Sequence, residues 1–149
     1  MKAKILIICT GNSCRSQMAE GFLKSLDKEL EVYSAGTKPE KNINPFAVEV
    51  MKELGIDISK QFPKNVEIFL KENFDYVITV CDSAKETCPV FPGKVKHRLH
   101  IGFKDPAGVT GSKDYILSVY RKVRDEIKEH FGRLYSELKK TGVLSSQEL

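Results

Sequence analysis

The strongest constraint on the fold is an apolar run near the start of the chain, Lys4-Ile5-Leu6-Ile7-Ile8. A continuous, mostly β-branched run of this length is typical of a strand buried on both faces, as in parallel sheets. It is far shorter than the ~20 residues that a helix needs to cross a bilayer. It is also too short for a signal peptide, and no small-residue cleavage site follows it. The run predicts a central strand in a cytoplasmic protein that makes no membrane contact.

Strand and helix patterns alternate along the rest of the chain. Helical spacing of apolar residues predicts helices at 16 to about 28, 44–55, 66 to about 71 and 114 to about 138. Apolar or β-branched runs predict three further strands at 31–34, 75–80 and 96–100. This alternation is typical of the α/β class, here a central parallel four-stranded sheet with helices on both faces.

The length and composition suit one such domain. The chain has 149 residues, of which 41% are hydrophobic and 30% charged, so a sizeable core is feasible without disulfides. We expect a single, monomeric domain over residues 1–149 with a frayed tail at 142–149, and no cofactor. The net charge of +4 and the absence of Trp argue against nucleic-acid binding and favour a small anionic ligand.

The most informative segment joins the first predicted strand to the first predicted helix. Ligands of open α/β sheets bind at the carboxyl ends of strands, where a helix N-terminus presents free N–H groups to an anion. Gly11 and Asn12 tolerate left-handed backbone, so the loop can turn its N–H groups inward. Arg15 adds a forked donor that matches a tetrahedral oxyanion. The predicted oxyanion site consists of Thr10, Gly11, Asn12, Ser13, Cys14 and Arg15.

Cys9 is the first residue of this loop and the predicted nucleophile. N–H donors, the helix dipole and Arg15 favour a thiolate, to which the Ser16 hydroxyl can donate a further hydrogen bond. Attack on a clamped oxyanion requires a nucleophile held in this way. The alternative is a buried strand-end cysteine beside an unrelated arginine. Cys14 has no evident part in this chemistry, and packing is its preferred interpretation.

This segment resembles the C-x5-R-[S/T] signature of the low-molecular-weight tyrosine phosphatase superfamily, which occupies the same strand–loop–helix position. The resemblance implies a phosphatase-like fold and a general acid in an Asp-Pro pair late in the chain. Asp105-Pro106 matches that pair. Without the loop, the same pair would indicate only a turn.

Two further cysteines, Cys81 and Cys88, are more than phosphatase chemistry needs. Cys81 follows the third predicted strand and therefore lies at the same edge of the sheet as Cys9. A helix between Cys81 and Cys88 would hold their sulfurs apart, because a disulfide needs Cα atoms within ~7 Å. The pair can bond only if the segment rearranges, as a thiol relay requires. The alternatives are a zinc site with His97 and His100, or two inert core cysteines.

The loop, the C-x6-C-P segment and the Asp-Pro pair together resemble the thioredoxin-coupled arsenate reductases, which share the phosphatase fold. The likeness covers almost the whole chain, through ICTGNSCRSQMAEG, VYSAG, INP, GIDIS, VITVC…CP, HIGFKDPAG and RKVRDEI. It implies that Cys9 attacks arsenate while Arg15 clamps the oxygens, Ser16 supports the thiolate and a protonated Asp105 assists loss of water.

The resemblance also implies how the nucleophile is regenerated. Cys81 attacks Cys9 and releases arsenite, and Cys88 then attacks Cys81. Thioredoxin, the implied partner, reduces the resulting Cys81–Cys88 disulfide.

Some members of that family bind a potassium ion through residues that match Asn12, Glu20 and Ser34. A fourth ligand, an Asp in that pattern, aligns with Lys64, whose charge opposes a cation. We hypothesise that no metal is bound, because the Lys64 ammonium takes the place of the ion and pairs with Glu20. The alternative is that Lys64 is a solvated surface residue.

Three other functions are compatible with these residues. A tyrosine-phosphatase-like hydrolase uses the same loop and Asp105 but has no need of Cys81 or Cys88. A redox-regulated phosphatase protects Cys9 through a disulfide with Cys81 or Cys14. An oxyanion or arsenite sensor needs an output surface, and no DNA-binding helix pattern or strong basic patch is present.

Overall fold

The computed structural model describes residues 3–82 and 90–140. Its strands are β1 (Lys4–Cys9), β2 (Glu31–Gly36), β3 (Phe74–Thr79) and β4 (Val95–His100). Its α-helices are α1 (Arg15–Leu26), α2 (Pro45–Lys52) and α3 (Lys113–Lys140), and a 3-10 helix spans Val66–Phe69. Every predicted strand and helix is present, with each end within three residues of its predicted position. The predicted tail at 142–149 lies outside the described residues.

The four strands form one sheet in the order β2-β1-β3-β4, and all neighbouring strands are parallel. The apolar run of β1 lies in the middle of this sheet, and the side chains from Ile5 to Ile8 are completely buried. The predicted α/β fold with a four-stranded parallel sheet is therefore confirmed.

Successive residues of β1 contribute to two separate cores, one on each face of the sheet. Ile5 and Ile7 pack with residues of all three α-helices, whereas Leu6 and Ile8 pack with Phe69 of the 3-10 helix and with Phe91. Helices thus cover both faces, but unequally: in the described ranges the three α-helices share one face. This asymmetry places the N-terminal ends of α1 and α2 together beside the carboxyl end of β1.

Local sequence explains where α2 begins. The side chain of Asn44 accepts hydrogen bonds from the backbone N–H groups of Phe46 and Ala47, and Pro45 occupies the first helical position. Both features satisfy or remove N–H groups that a helix start leaves unpaired. Among the described residues, no helix is both long enough and apolar enough to cross a membrane.

A charged cluster joins the end of α2 to α3. Arg121 binds both carboxylate oxygens of Glu53, and the buried Arg124 donates to Glu53 Oε1 at 2.7 Å and to the carbonyl of Val50 at 2.9 Å. The hydrogen bond from Arg121, supported by Arg124, lowers the pKa of Glu53 from 4.5 to about 2. The carboxylate therefore neutralises a buried arginine as well as linking two helices.

This cluster predicts a defined pH dependence of stability. Because the pKa of Glu53 is lower in the folded chain, its stabilising contribution is complete above about pH 4.5 and is lost as the pH falls through about 2. We expect Glu53→Gln to lower the free energy of unfolding by about 1 kcal/mol at pH 7, with solvent screening taken into account, and by much less at pH 2. Urea unfolding at both pH values tests this.

Glu67→Gln is the matched control, because Glu67 is exposed and its carboxylate makes no ion pair within residues 3–82 and 90–140. It should leave stability unchanged at both pH values. A deficit of equal size at pH 7 and pH 2 for Glu53→Gln would contradict the assigned role of the carboxylate.

Candidate active site

A cavity of about 610 Å³ opens at the carboxyl end of β1. One wall is the loop of residues 10–14, between β1 and α1, and another is formed by residues of the segment 38–45. Asp105 and Ala107, from the connection between β4 and α3, complete the lining. The predicted nucleophile, oxyanion loop and general acid therefore meet in one cavity.

Asn12 gives the loop its curvature. Its φ of 52° is the only positive value among the non-glycine residues that the structure describes. Its buried amide donates to Ser16 Oγ at 2.7 Å and to Ser34 Oγ at 2.9 Å, and accepts from the backbone N–H of Lys64 at 2.9 Å. The left-handed backbone predicted for the loop is thus confirmed at Asn12. Gly11 is not among the residues with positive φ.

The loop carbonyls accept hydrogen bonds from the segment of residues 38–44, which we call the wrapping segment. Its backbone N–H groups donate to three loop carbonyls: Lys38 to Thr10, Glu40 to Gly11 and Asn44 to Ser13, at 3.0, 2.8 and 2.9 Å. Gln17 Nε2 donates to the fourth, that of Asn12, at 2.8 Å. Because these four carbonyls are already hydrogen-bonded, the loop can direct its N–H groups to an anion.

Sequence reasoning missed the wrapping segment, because backbone-to-backbone contacts leave no residue signature. The sequence indicated Asn44 only as the start of a predicted helix. It also binds the loop through its own N–H, and its Nδ2 donates to the hydroxyl of the buried Tyr120 at 2.9 Å. Burial raises the pKa of Tyr120. Asn44 thus connects the loop to α2 and α3.

The sulfur of Cys9 lies among hydrogen-bond donors, as predicted. The side chain is only 2% exposed, and Sγ lies 2.9 Å from Ser16 Oγ and 3.2 Å from the backbone nitrogen of Asn12. The next helix, α1, begins at Arg15 without a side-chain cap at Cys14. The positive end of the α1 dipole therefore faces the cavity, a setting that favours anions.

Arg15 and Asp105 occupy the site together. Arg15 is 4% exposed, donates to the carbonyl of Phe103 at 3.2 Å, and has Nη2 at 3.5 Å from Asp105 Oδ2. The Asp105 side chain is 44% exposed, and its other oxygen accepts from the backbone N–H of Ala107 at 3.0 Å. The guanidinium is thus buried, while the carboxyl group is accessible from solvent.

Cys14 is a buried free thiol that packs in the core cluster between the sheet and the three α-helices. Burial, and to a lesser extent the charges of Asp105 and Cys9, raises the pKa of this thiol, so it stays protonated. The packing interpretation agrees with this environment.

Cys81 lies directly beyond the end of β3. The ladder between β1 and β3 pairs Ile8 with Thr79, and the N–H of Val80 donates to the carbonyl of Ile8 at 3.0 Å. Cys81 is completely buried and disulfide-bonded, whereas Cys9 and Cys14 are free. Cys88, the second residue of the predicted pair, lies outside the described residues.

The two histidines considered as zinc ligands make other contacts. The ring of His97 stacks on Tyr76 with centroids 4.9 Å apart, and His100 Nδ1 lies 2.8 Å from Thr79 Oγ1. Within the described ranges, no group of three or more His, Cys, Asp or Glu residues is arranged to hold a metal.

The expected pairing of Lys64 with Glu20 is not what the structure shows. Glu20 forms its ion pair with Lys24, one helical turn away on α1, and accepts from Ser34 Oγ at 2.6 Å. The Lys64 ammonium instead donates to the carbonyl of Phe62 at 2.7 Å. Burial lowers the pKa of Lys64, and the nearby charge of Glu20 partly counteracts this effect.

These contacts do not suit a potassium ion. The carboxylate of Glu20 is already neutralised by an ammonium, and the amide oxygen of Asn12 already accepts a hydrogen bond. The residue that aligns with the fourth ligand is Lys64, whose side chain has no oxygen donor. Within the described residues, the side-chain oxygens of Asn12, Glu20 and Ser34 are already engaged in hydrogen bonds or an ion pair.

Comparison with known proteins identifies the family. The profile described as low molecular weight phosphotyrosine protein phosphatase matches residues 4–144. The chain belongs to this family. It is 51% identical over 127 residues to an arsenate reductase of Shouchella clausii, an alignment that covers 85% of this chain and 90% of that protein.

Two solved structures are also similar to the chain. An arsenate reductase in the phosphate binding state has a TM-score of 0.76 and 35% identity, with coverage of 92% of this chain and 98% of that chain. A thioredoxin-dependent arsenate reductase of Corynebacterium glutamicum has a TM-score of 0.68 and 28% identity, with coverage of 94% and 63%. Both likenesses agree with the predicted family and fold.

The contact between β2 and the loop predicts that position 36 must be glycine. A Cβ on Gly36 would lie 2.4 Å from the carbonyl oxygen of Thr10 and 3.0 Å from Asn12 Cβ. We expect Gly36→Ala to destabilise the fold by about 1–3 kcal/mol, because backbone atoms of the loop must shift. The shifted loop should also bind phosphate more weakly.

Gly132→Ala is the control, because a Cβ there meets no atom within 4 Å and the position lies inside α3. It should stabilise the chain by about 0.5–1 kcal/mol. Urea unfolding and phosphate titration of both variants measure the effects. Unchanged phosphate affinity in Gly36→Ala would show that the loop does not depend on this contact.

Proposed function

We propose that this chain reduces arsenate to arsenite, with Cys9 as the nucleophile and with Cys81 and Cys88 as a relay that thioredoxin regenerates. The observation that supports this most directly is the setting of the Cys9 sulfur. It lies next to Ser16 and shares a cavity with a buried arginine and an accessible carboxyl group, in a chain similar to arsenate reductases.

The first step is attack of the Cys9 thiolate on arsenic. The oxyanion binds to loop N–H groups and to Arg15, which hold the central atom against Sγ. A sulfur–arsenic bond forms, and an arsenic–oxygen bond breaks. The departing oxygen leaves as water with a proton from Asp105, which lines the same cavity.

The second step transfers two electrons to arsenic. Cys81 attacks the sulfur of Cys9, and the electron pair of the sulfur–arsenic bond passes to arsenic, which leaves as arsenite. The two thiols become a disulfide. Cys88 then attacks Cys81 and frees Cys9, and a thioredoxin dithiol reduces the Cys81–Cys88 bond.

The strand register supports the meeting of Cys9 with Cys81. Val80 lies opposite Cys9 on the neighbouring parallel strand, and Cys81 is one residue further on. Strands ~4.8 Å apart and a rise of ~3.3 Å per residue place the two Cα atoms about 6 Å apart, within the range of a disulfide. Val80 shares the core cluster of Cys9, however, so strand alternation directs the side chain of Cys81 to the opposite face of the sheet. The relay therefore requires the Cys81 side chain to rotate towards Cys9.

The relay predicts different kinetics for a variant that lacks its last thiol. With thioredoxin, thioredoxin reductase and NADPH, the wild type should show sustained arsenate-dependent NADPH oxidation. Cys88→Ser should release about one arsenite per chain and then stop, because its Cys9–Cys81 disulfide has no internal route to reduction. Quench analysis of arsenite and continuous measurement of NADPH give the two quantities.

The family match favours one second candidate, the hydrolysis of phosphate esters. The same variants distinguish this activity from arsenate reduction. A phosphatase hydrolyses p-nitrophenyl phosphate without Cys81 or Cys88, so Cys88→Ser would keep that activity in full. A wild type that hydrolyses this ester well but never turns over arsenate would contradict the reductase proposal. Sustained arsenate turnover by Cys88→Ser would contradict the relay alone.

The ammonium at Glu20 predicts that activity does not depend on potassium. Exchange of sodium for potassium should leave the rate of the wild type unchanged. Lys24→Met removes the charge that neutralises Glu20, so this variant should be slower and should regain part of its rate in potassium. A rise of several-fold in the wild type on addition of potassium would contradict this assignment.

A further inference from the structure

Glu40 places a carboxylate against the oxyanion loop. Its backbone N–H donates to the carbonyl of Gly11 at 2.8 Å. Its side chain turns back over the same residue, since Cγ and Oε2 lie 3.1 and 3.5 Å from the position that a Cβ of Gly11 would occupy. Glu40 also lines the cavity. A negative charge beside an anion site is unexpected, because it opposes binding.

No cation neutralises this carboxylate within the part of the chain that the structure describes. Glu40 forms neither an ion pair nor a side-chain hydrogen bond there, although Lys38 and Lys41 line the same cavity. Asp105, by contrast, lies beside the guanidinium of Arg15. The charge of Glu40 therefore acts on whatever enters the cavity.

The charged and titratable groups around Glu40 come from three parts of the fold. The wrapping segment contributes Lys38 and Lys41, and the connection after β4 contributes Asp105. The loop and the start of α1 contribute Arg15 and the thiol of Cys9, with the protonated Cys14 below. Three cations thus face two carboxylates and a nucleophilic sulfur, so the cavity has little net positive charge once that sulfur is ionised.

We propose that Glu40 makes this site select oxyanions with a single negative charge over doubly charged ones. The carboxylate repels a dianion about twice as strongly as a monoanion at the same position. Singly ionised arsenate and phosphate would therefore be preferred over their doubly ionised forms, and over sulfate. This inference deepens the proposed function and rests on its oxyanion site.

Selection of the monoanion suits the chemistry of that site. A singly ionised oxyanion is repelled less by the Cys9 thiolate. It also has one more proton on its oxygens, so the departing oxygen is closer to water when the arsenic–oxygen bond breaks. Glu40 needs no contact with the reacting atoms for this effect, and it is a specificity-determining residue.

Sulfate and inorganic phosphate have similar shapes but differ in charge, so their comparison separates the effect of ligand charge on binding from the effect of ligand shape. Sulfate is doubly charged at pH 6 and pH 8, whereas inorganic phosphate changes from mainly singly to mainly doubly charged between them. Binding is measured calorimetrically at low ionic strength, where surface charges are least screened. All chains include Cys9→Ser, so that the Cys9 thiol contributes nothing to the binding signal.

Glu40→Gln should tighten sulfate binding by about fivefold at both pH values, the effect expected for an exposed charge acting on a dianion. For phosphate the gain should be about twofold at pH 6 and should approach the sulfate value at pH 8. Lys41→Gln should have the opposite sign and weaken sulfate more than phosphate at pH 6.

Glu67→Gln, which changes an exposed carboxylate outside the cavity, should affect neither anion. Equal gains for sulfate and for phosphate at pH 6 in Glu40→Gln, or no gain for either, would overturn the selection by Glu40. If the chain with Glu40 intact binds neither anion at either pH, the oxyanion site of the proposed function fails instead. The two failures are therefore distinguishable.

Discussion

The shape of the candidate active site depends on the buried amide of Asn12. A left-handed backbone costs a non-glycine residue ~1–2 kcal/mol, and here the side chain offsets that cost with hydrogen bonds to Ser16, Ser34 and the backbone of Lys64. Since Asn12 is completely buried, each lost partner would leave a polar group unpaired. The loop therefore keeps its curvature only while α1, β2 and the segment before the 3-10 helix hold their positions around it.

The same amide connects the sulfur of Cys9 to a buried carboxylate. On one side it donates to Ser16, whose hydroxyl contacts the sulfur of Cys9. On the other it donates to Ser34, which in turn donates to Glu20. The ammonium of Lys24 forms an ion pair with that carboxylate. A lysine one helical turn along α1 from Glu20 is thus the last member of the series of contacts that begins at the Cys9 sulfur.

The sequence was sufficient where the physical cause is local. The buried run of β1 and the Asn44-Pro45 start of α2 each depend on residues that are adjacent in the chain. The loop from Cys9 to Ser16 is likewise contiguous. The wrapping segment could not be predicted, because backbone hydrogen bonds between distant segments do not depend on side-chain identity. The partner of Glu20 was predicted wrongly, although a signal was present: Glu20 and Lys24 are four residues apart on one helix, a spacing that favours ion pairs.

The contact between Arg15 and Asp105 would connect anion binding to the second carboxyl group of the cavity in the proposed reaction. In the structure, Nη2 of the guanidinium lies 3.5 Å from Oδ2 of Asp105. An oxyanion in the loop would take up the forked donors of Arg15, because a guanidinium binds a tetrahedral oxyanion in a bidentate way. The arrival of the anion would thus release the Asp105 side chain from Arg15. Since this side chain is 44% exposed, it would then be free to turn towards the departing oxygen.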